Sequence, residues 1–202
     1  MIIDDLYKIL EKSWSKDTCC DTLRELWNED NPSLGQCAIT SLIVNDFCGG
    51  KIMRCMCETG SHYYNLIDNQ IVDLTKGQFN KLPKYDGEER TRDYLLSNED
   101  TKKRYLLLLK KVKDNFIKYG KKEYKLLGIN GMYFSKIPGV LGGNKKLKIY
   151  GKLDCPSALK WLKKGYYASN RVFFENEEIA KQLGYRPCGI CMKKEYVKWK
   201  NQ

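Results

Sequence analysis

The stretch His62-Tyr63-Tyr64-Asn65-Leu66-Ile67-Asp68-Asn69-Gln70-Ile71-Val72-Asp73-Leu74-Thr75 reads as two strands joined by a two-residue turn. Aromatic and β-branched residues fill both arms, and Asp68 and Asn69 tolerate the positive φ that a tight hairpin demands. If these two form the whole loop, Ile67 lies opposite Gln70. Counting outward, Asp73 faces Tyr64 and Thr75 faces His62. Side chains alternate between sheet faces, so His62 and Asp73 fall on one face as diagonal neighbours. The hairpin thus sets an imidazole beside a carboxylate. His62 is the chain's single histidine, so any chemistry that needs an imidazole must use it.

Upstream, Lys51–Cys57 reads as a further strand and Gly49-Gly50 as a helix stop. Before them, Cys37–Phe47 carries Ala38, Ile39, Leu42, Ile43 and Phe47, the pattern of a buried helix, after a turn-rich Asn31-Pro32-Ser33-Leu34-Gly35 loop. Asp4–Trp14 and Cys19–Trp27 read as further helices. Ser97 with Asp100 reads as a capping pair that opens a long helix to about Ile117, with Tyr105, Leu108, Leu109, Val112 and Phe116 on one face. Cys37 stands at a helix start, where the dipole favours a thiolate and free amides suit an oxyanion. Cys37, His62 and Asp73 therefore have the order of nucleophile, base and orienting carboxylate. The side-chain amide of Gln36 or Asn31 could donate to the oxyanion. The alternative for Cys37 is a core cysteine, the role assigned to Cys19, Cys20, Cys48, Cys55 and Cys57.

Gly120-Lys121-Lys122 divides the chain into domains 1–119 and 122–202, an α+β domain followed by a smaller α+β module. In the second part, 128–143 is glycine-rich and reads as irregular, Leu147–Tyr150 and Val172–Phe174 as strands, and Cys155–Gly165 and Asn176–Leu183 as helices. Cys188-Gly189-Ile190-Cys191 is a Cys-x-x-Cys knuckle. Such spacing serves either zinc or a redox pair, and Cys155 upstream favours one structural zinc on Cys155, Cys188 and Cys191. A fourth ligand has to come from Asp154, Asn170, water or elsewhere. A metal-free relic of the fold is the alternative.

Charge separates the two parts. Residues 1–85 hold 9 Lys/Arg against 12 Asp/Glu, whereas residues 122–202 hold 17 against 6. A basic excess confined to one end suits a polyanion, with nucleic acid expected and DNA ahead of RNA. Lys145, Lys146, Lys148, Lys152, Arg171 and Arg186 are the candidate phosphate contacts.

Two resemblances rest on these residues. Ser13-Trp14-Ser15, Gly35-Gln36-Cys37, His62-Tyr63-Tyr64-Asn65, Val72-Asp73-Leu74-Thr75 and Tyr94-Leu95-Leu96-Ser97 make residues 1–117 resemble the YunG family. The Cys-His-Asp order also resembles that of the transglutaminase and papain-like cysteine enzymes, which implies a fold of that kind and a cysteine nucleophile. Residues 145–196 resemble the metal-binding domain of Ada through Tyr150, Cys155-Pro156, Asn170–Phe174 and Gly184–Cys191. That resemblance implies zinc and DNA. It also places the methyl-accepting cysteine of Ada at Gly151, which has no thiol, so methyl transfer is not expected.

The N-terminus lacks a charged and then apolar leader, and no run of residues suits a bilayer span, so a cytoplasmic protein with reduced cysteines is expected. The first functional reading is a cysteine hydrolase or acyl transferase tethered to a zinc-holding, nucleic-acid-binding module. The second is a non-catalytic nucleic-acid-binding adaptor associated with stress or DNA repair.

Overall fold

A computed structural model describes residues 2–58 and 60–201. The chain is mixed α and β and forms two compact units, Met1–Gly120 and Lys121–Gln202. None of the described helices is long and apolar enough to cross a membrane.

The first unit contains helices α1 (Ile2–Glu11), α2 (Cys37–Cys48), α3 (Arg92–Leu96) and α4 (Glu99–Tyr119), with 3-10 turns at Lys16–Thr18 and Asp21–Leu26. Its strands β1 (Lys51–Cys57), β2 (Gly60–Ile67), β3 (Gln70–Val72) and β4 (Glu88–Arg90) form an antiparallel sheet ordered β3-β2-β1-β4. The hairpin register is the expected one: Ile67 pairs with Gln70 and Asn65 with Val72. Asp68 and Asn69 take φ of 50° and 62°, the left-handed values of a type I′ turn.

Helix α2 is apolar on most of its surface because it is enclosed. It packs on β2, α1 and α4. Ile39, Leu42, Ile43 and Phe47 are buried, and Phe47 meets Phe116 of α4 at a ring separation of 5.6 Å. Leu6 and Leu10 of α1 are fully buried with them. Polar groups inside this layer are paired: Trp14 Nε1 donates to Thr40 Oγ1 at 3.0 Å, and Tyr105 OH donates to Asp46 at 2.7 Å. Arg104 is buried and bonds Asp100 at 2.6 Å.

Two local expectations are corrected. The cap of α4 is Asn98, whose side chain accepts from the Thr101 amide at 2.9 Å, rather than Ser97. Ser97 instead ends α3, a short helix with no periodic signature. The strand expected to run to Thr75 ends at Val72, because the Asp73 side chain captures the Thr75 amide and bends the chain.

The second unit has a hairpin of β5 (Tyr124–Gly128) and β6 (Gly131–Ser135), and a mixed sheet ordered β10-β8-β7-β9. Its strands are β7 (Leu141–Asn144), β8 (Ile149–Lys152), β9 (Arg171–Phe174) and β10 (Arg186–Pro187). In this sheet β10 runs parallel to β8, and the other pairs are antiparallel. Helices α5 (Pro156–Lys163), α6 (Glu177–Gln182) and α7 (Lys193–Lys200) complete it. Leu141, Tyr150, Val172, Phe174, Ala180, Tyr185 and Met192 form the core. The glycine-rich stretch expected to be irregular holds β6 and most of β7. Glycine there marks close packing: a Cβ on Gly143 would lie 2.5 Å from the Phe174 ring.

Leu108 tests the helical layer. It is fully buried on α4, whereas Leu106 is 55% exposed. Leu108→Ala should lower the unfolding free energy by about 2–5 kcal/mol in urea titration, and Leu106→Ala by no more than about 0.5 kcal/mol. Equal effects would mean that α4 does not bury this face.

Candidate functional site

In the first unit, the sheet register and the helix start bring three expected residues together. His62 lies near the start of β2, and Asp73 lies one residue beyond β3. Their side chains meet at 2.7 Å, His62 Nε2 to Asp73 Oδ2, and both are nearly inaccessible to solvent. Asp73 Oδ2 also accepts from Tyr85 OH at 3.0 Å. Its Oδ1 accepts from the amide and the hydroxyl of Thr75, each at 2.9 Å. Four hydrogen bonds thus hold this carboxylate, and burial without them would neutralise it. Phe79 packs edge-on against the imidazole at 4.8 Å.

With Nε2 facing Asp73, the nitrogen left for chemistry is Nδ1, which is buried without a well-formed hydrogen bond. Cys37 is near enough to the imidazole to favour its protonated form. Cys37 is the first residue of α2 and half-buried, and its sulfur lies 4.0 Å from the Ser61 carbonyl beside His62.

Burial is the largest single influence on the imidazole and disfavours its cation. Asp73 and Cys37 together outweigh it and lift the His62 pKa to about 9. Burial also opposes ionisation of Asp73, but the His62 ring and Thr75 hold that carboxyl below its ordinary value.

Gln36 is wholly buried. Its Nε2 donates to the Ser15 carbonyl at 3.0 Å, and its Oε1 is buried without a partner. That amide is therefore committed within the fold. Asn31 is half-buried and accepts from Ser33 at 3.4 Å. Tyr85 and Phe79 support the pair, and of the two only Phe79 carries a signal in the sequence, as part of the Gln78-Phe79 motif shared with the YunG family. Both come from the segment between β3 and β4, which has no periodicity to place it.

In the second unit, the sulfurs of Cys155, Cys188 and Cys191 all lie within 4.8 Å of one another, and Cys155 and Cys188 are 3.8 Å apart. Zinc–sulfur bonds of about 2.3 Å at tetrahedral angles set sulfurs about 3.8 Å apart, so the cluster can hold a metal ion. Cys155 caps α5, and Pro156 occupies the first helical turn. The parallel β8–β10 pair brings the knuckle alongside, with the Cys188 amide bonded to the Tyr150 carbonyl at 2.8 Å. The Lys152 amide donates to Cys191 Sγ at 3.3 Å.

The Cys191 thiol, aided by the amides of Ala158 and Ser157, pulls Cys155 down to about 5 against the effect of burial. The same contact with Cys155, with burial, pushes Cys191 up. No other histidine, aspartate, glutamate or cysteine joins the three among the described residues, so Asp154 is not a fourth member. Asn170 accepts the Lys145 amide with its backbone carbonyl at 2.8 Å.

The candidate phosphate contacts divide. Lys145, Lys146, Lys148 and Lys152 are exposed, but Lys148 lies over the Tyr185 ring at 4.4 Å and donates to the Leu183 carbonyl at 3.3 Å. Arg171 stacks on Tyr167 and Phe173, and Arg186 on Tyr196 and Trp199. Both guanidinium groups are thereby tied into the packing of the unit.

The single histidine gives a direct test of the buried pair. Its imidazole proton resonances should titrate near 9, and Asp73→Asn should move the midpoint down toward 6.5. A folded-state pKa above the unfolded one stabilises the fold below about 6.5, and this contribution is lost as pH rises through about 9. A wild-type midpoint at or below 6.5 would show that the carboxylate does not govern the ring.

No solved structure matches the chain. The Bacillus subtilis (strain 168) protein named "Uncharacterized protein YunG" is 33% identical over 94 residues, which span 46% of this chain and 77% of that relative. The family model for YunG protein matches residues 2–117, the segment that carries Cys37, His62 and Asp73. By that match over more than half its length, the chain belongs to the YunG family.

Proposed function

We propose that the first unit is a cysteine hydrolase or acyl transferase. The observation that carries this reading is the buried 2.7 Å His62–Asp73 pair, which leaves Nδ1 for the Cys37 thiol at a helix start. In this mechanism the Cys37 proton already rests on His62 Nδ1, whose ring Asp73 makes basic, and Sγ bonds to a substrate carbonyl carbon as the C=O π pair moves onto oxygen. The resulting oxyanion accepts hydrogen bonds from first-turn amides of α2, which a helix leaves without internal partners. Collapse breaks the bond to the leaving group, which departs with the proton from His62. Water or another nucleophile then takes the acyl group from sulfur, and the thiol is restored. Asp73 holds the ring in the tautomer with its proton on Nε2 and stabilises the imidazolium. Gln36 anchors the start of α2 through Ser15 in this reading, in place of the oxyanion role that its sequence position suggests. The arrangement is of the transglutaminase and papain-like kind.

The second unit, in the same reading, holds one zinc on Cys155, Cys188 and Cys191 in an Ada-like fold and binds nucleic acid, DNA ahead of RNA. Gly151 stands against Cys191 and Cys188 with no thiol to accept a methyl group, so no methyl transfer is assigned. Lys145, Lys146 and Lys152 are exposed around β7 and β8 and supply the phosphate contacts.

Thiol reactivity tests the enzyme. Limiting iodoacetamide at neutral pH should alkylate Cys37 about tenfold faster than Cys20 and Cys57, which are also half-buried. His62→Ala should remove the advantage, as read by mass-spectrometric mapping. Labelling unchanged by His62→Ala would leave Cys37 an ordinary thiol.

Charge reversal tests the second unit. Full-length protein with Lys145→Glu, Lys146→Glu and Lys152→Glu should bind duplex DNA more weakly, and to a similar extent for all sequences. The log–log salt slope should shrink by about 0.9 for each phosphate that the variant no longer neutralises. Unchanged binding in a fluorescence-anisotropy titration would assign the basic excess to solvation alone.

A further inference from the structure

The geometry points to a binding site for a small, flat nitrogen heterocycle in the pocket beside the three cysteines, with a ring nitrogen completing the coordination of the metal they hold. This rests on the metal reading above. Three observations carry it.

The first is the donor count. Zinc takes four ligands, and the cluster offers three, with no fourth acidic, histidine or cysteine side chain among the described residues. Gly151 lies directly against the sulfurs: a Cβ there would be 2.7 Å from Cys191 Sγ and 3.1 Å from Cys188 Cβ. Gly151, packed against the sulfurs, has no side chain to offer as a donor.

The second is access. Cys155 and Cys188 line a pocket of about 350 Å³. Structural zinc sites are closed by four protein ligands, whereas sites that bind an outside molecule keep one position open. A pocket bounded by two of the three ligands belongs to the open kind.

The third is the pocket wall. Trp161, Tyr166 and Tyr167 line it with Tyr150. Trp161 and Tyr166 lie outside the core of the unit, with 49% and 74% of their surfaces exposed, and meet edge to face at 6.2 Å. Large rings left half in water beside a cavity are suited to covering a flat guest. A ring nitrogen is a borderline donor matched to zinc, and three cysteines with one such nitrogen is an established zinc set. Being neutral, it adds no charge to three thiolates, so it is a better fourth donor here than another anion.

Cobalt(II) in the full-length protein reports the donor set through its visible d–d bands and thiolate charge-transfer bands. Imidazole, benzimidazole and cyclohexylamine are titrated into the protein loaded with one cobalt. Benzimidazole should shift the bands saturably and bind about tenfold or more tightly than imidazole, because its second ring covers the aromatic wall. Cyclohexylamine, which lacks a flat ring, should shift them little. Trp161→Ala and Tyr166→Ala should each reduce the benzimidazole advantage while retaining one cobalt per chain. Bands indifferent to the heterocycles, equal affinity for the two, or an advantage intact in both variants would overturn the inference alone. Failure to bind one cobalt or one zinc per chain would overturn the metal reading and the inference with it.

Discussion

The Asp68-Asn69 turn determines which side chains of the first unit can meet. With both residues at positive φ, the loop has room for only two, and Ile67 must pair with Gln70. Side chains in a sheet repeat every two residues, so a slip of one position would send Asp73 to the face opposite His62. The turn therefore precedes the pair. The pair in turn needs its surroundings, since a carboxylate and an imidazole taken out of water are stable together only when their remaining atoms are bonded. Thr75 and Tyr85 satisfy the carboxylate, and Phe79 closes the edge of the ring. Packing of α2 on β2 then sets the start of that helix beside the hairpin, with the Cys37 sulfur 4.0 Å from the Ser61 carbonyl. The order of cause runs from turn to register, from register to ion pair, and from helix docking to the three-residue site.

The second unit depends on close approach of backbone rather than on a turn. Gly143 lets the Phe174 ring lie against β7, and Gly151 lets the sulfurs lie against β8. Larger residues at these points would hold the core ring and the knuckle away from the sheet. The short parallel pairing of β10 with β8 then aligns Cys188 and Cys191 with Cys155, whose helix start supplies two amides. The cluster is built from segments far apart in the chain, and it exists only once the sheet has formed.

What is legible in the sequence follows from these distances. The hairpin carries strong local signals, so turn length and parity are enough to anticipate the His62–Asp73 pair. Cys188 and Cys191 announce themselves by spacing. Tyr85 cannot be anticipated, because it reaches Asp73 from a segment with no regular structure. The strand at Leu141–Asn144 is hidden because its glycines signal breaks in isolation, and only the packed Phe174 ring explains them. Gln36 misleads for a related reason. Its position beside Cys37 is visible, but the carbonyl of Ser15 that claims its amide is 21 residues away. The half-exposed Trp161 and Tyr166 likewise have the look of core residues in the sequence, although the core lies elsewhere.

The nine cysteines show how one side chain is given different chemistry by its surroundings. Cys19, Cys48 and Cys55 are held chiefly by burial, which raises their pKa, to about 12 for Cys19 and Cys48, and keeps them as neutral thiols. Such groups pack as small apolar side chains and have little thiolate to offer an electrophile or a metal. Cys155 is in the contrary situation: neighbouring thiols and helix amides favour its ionised form, and its anionic charge lies where three sulfurs converge. A cation is one way to satisfy that convergence, since a thiolate among thiols has only their weak S–H donors to offset its charge. Cys37 falls in neither group. It is partly open to solvent, begins a helix, and faces a histidine made basic by a buried carboxylate. Burial, neighbouring sulfur and neighbouring imidazole thus give one residue type three different surroundings.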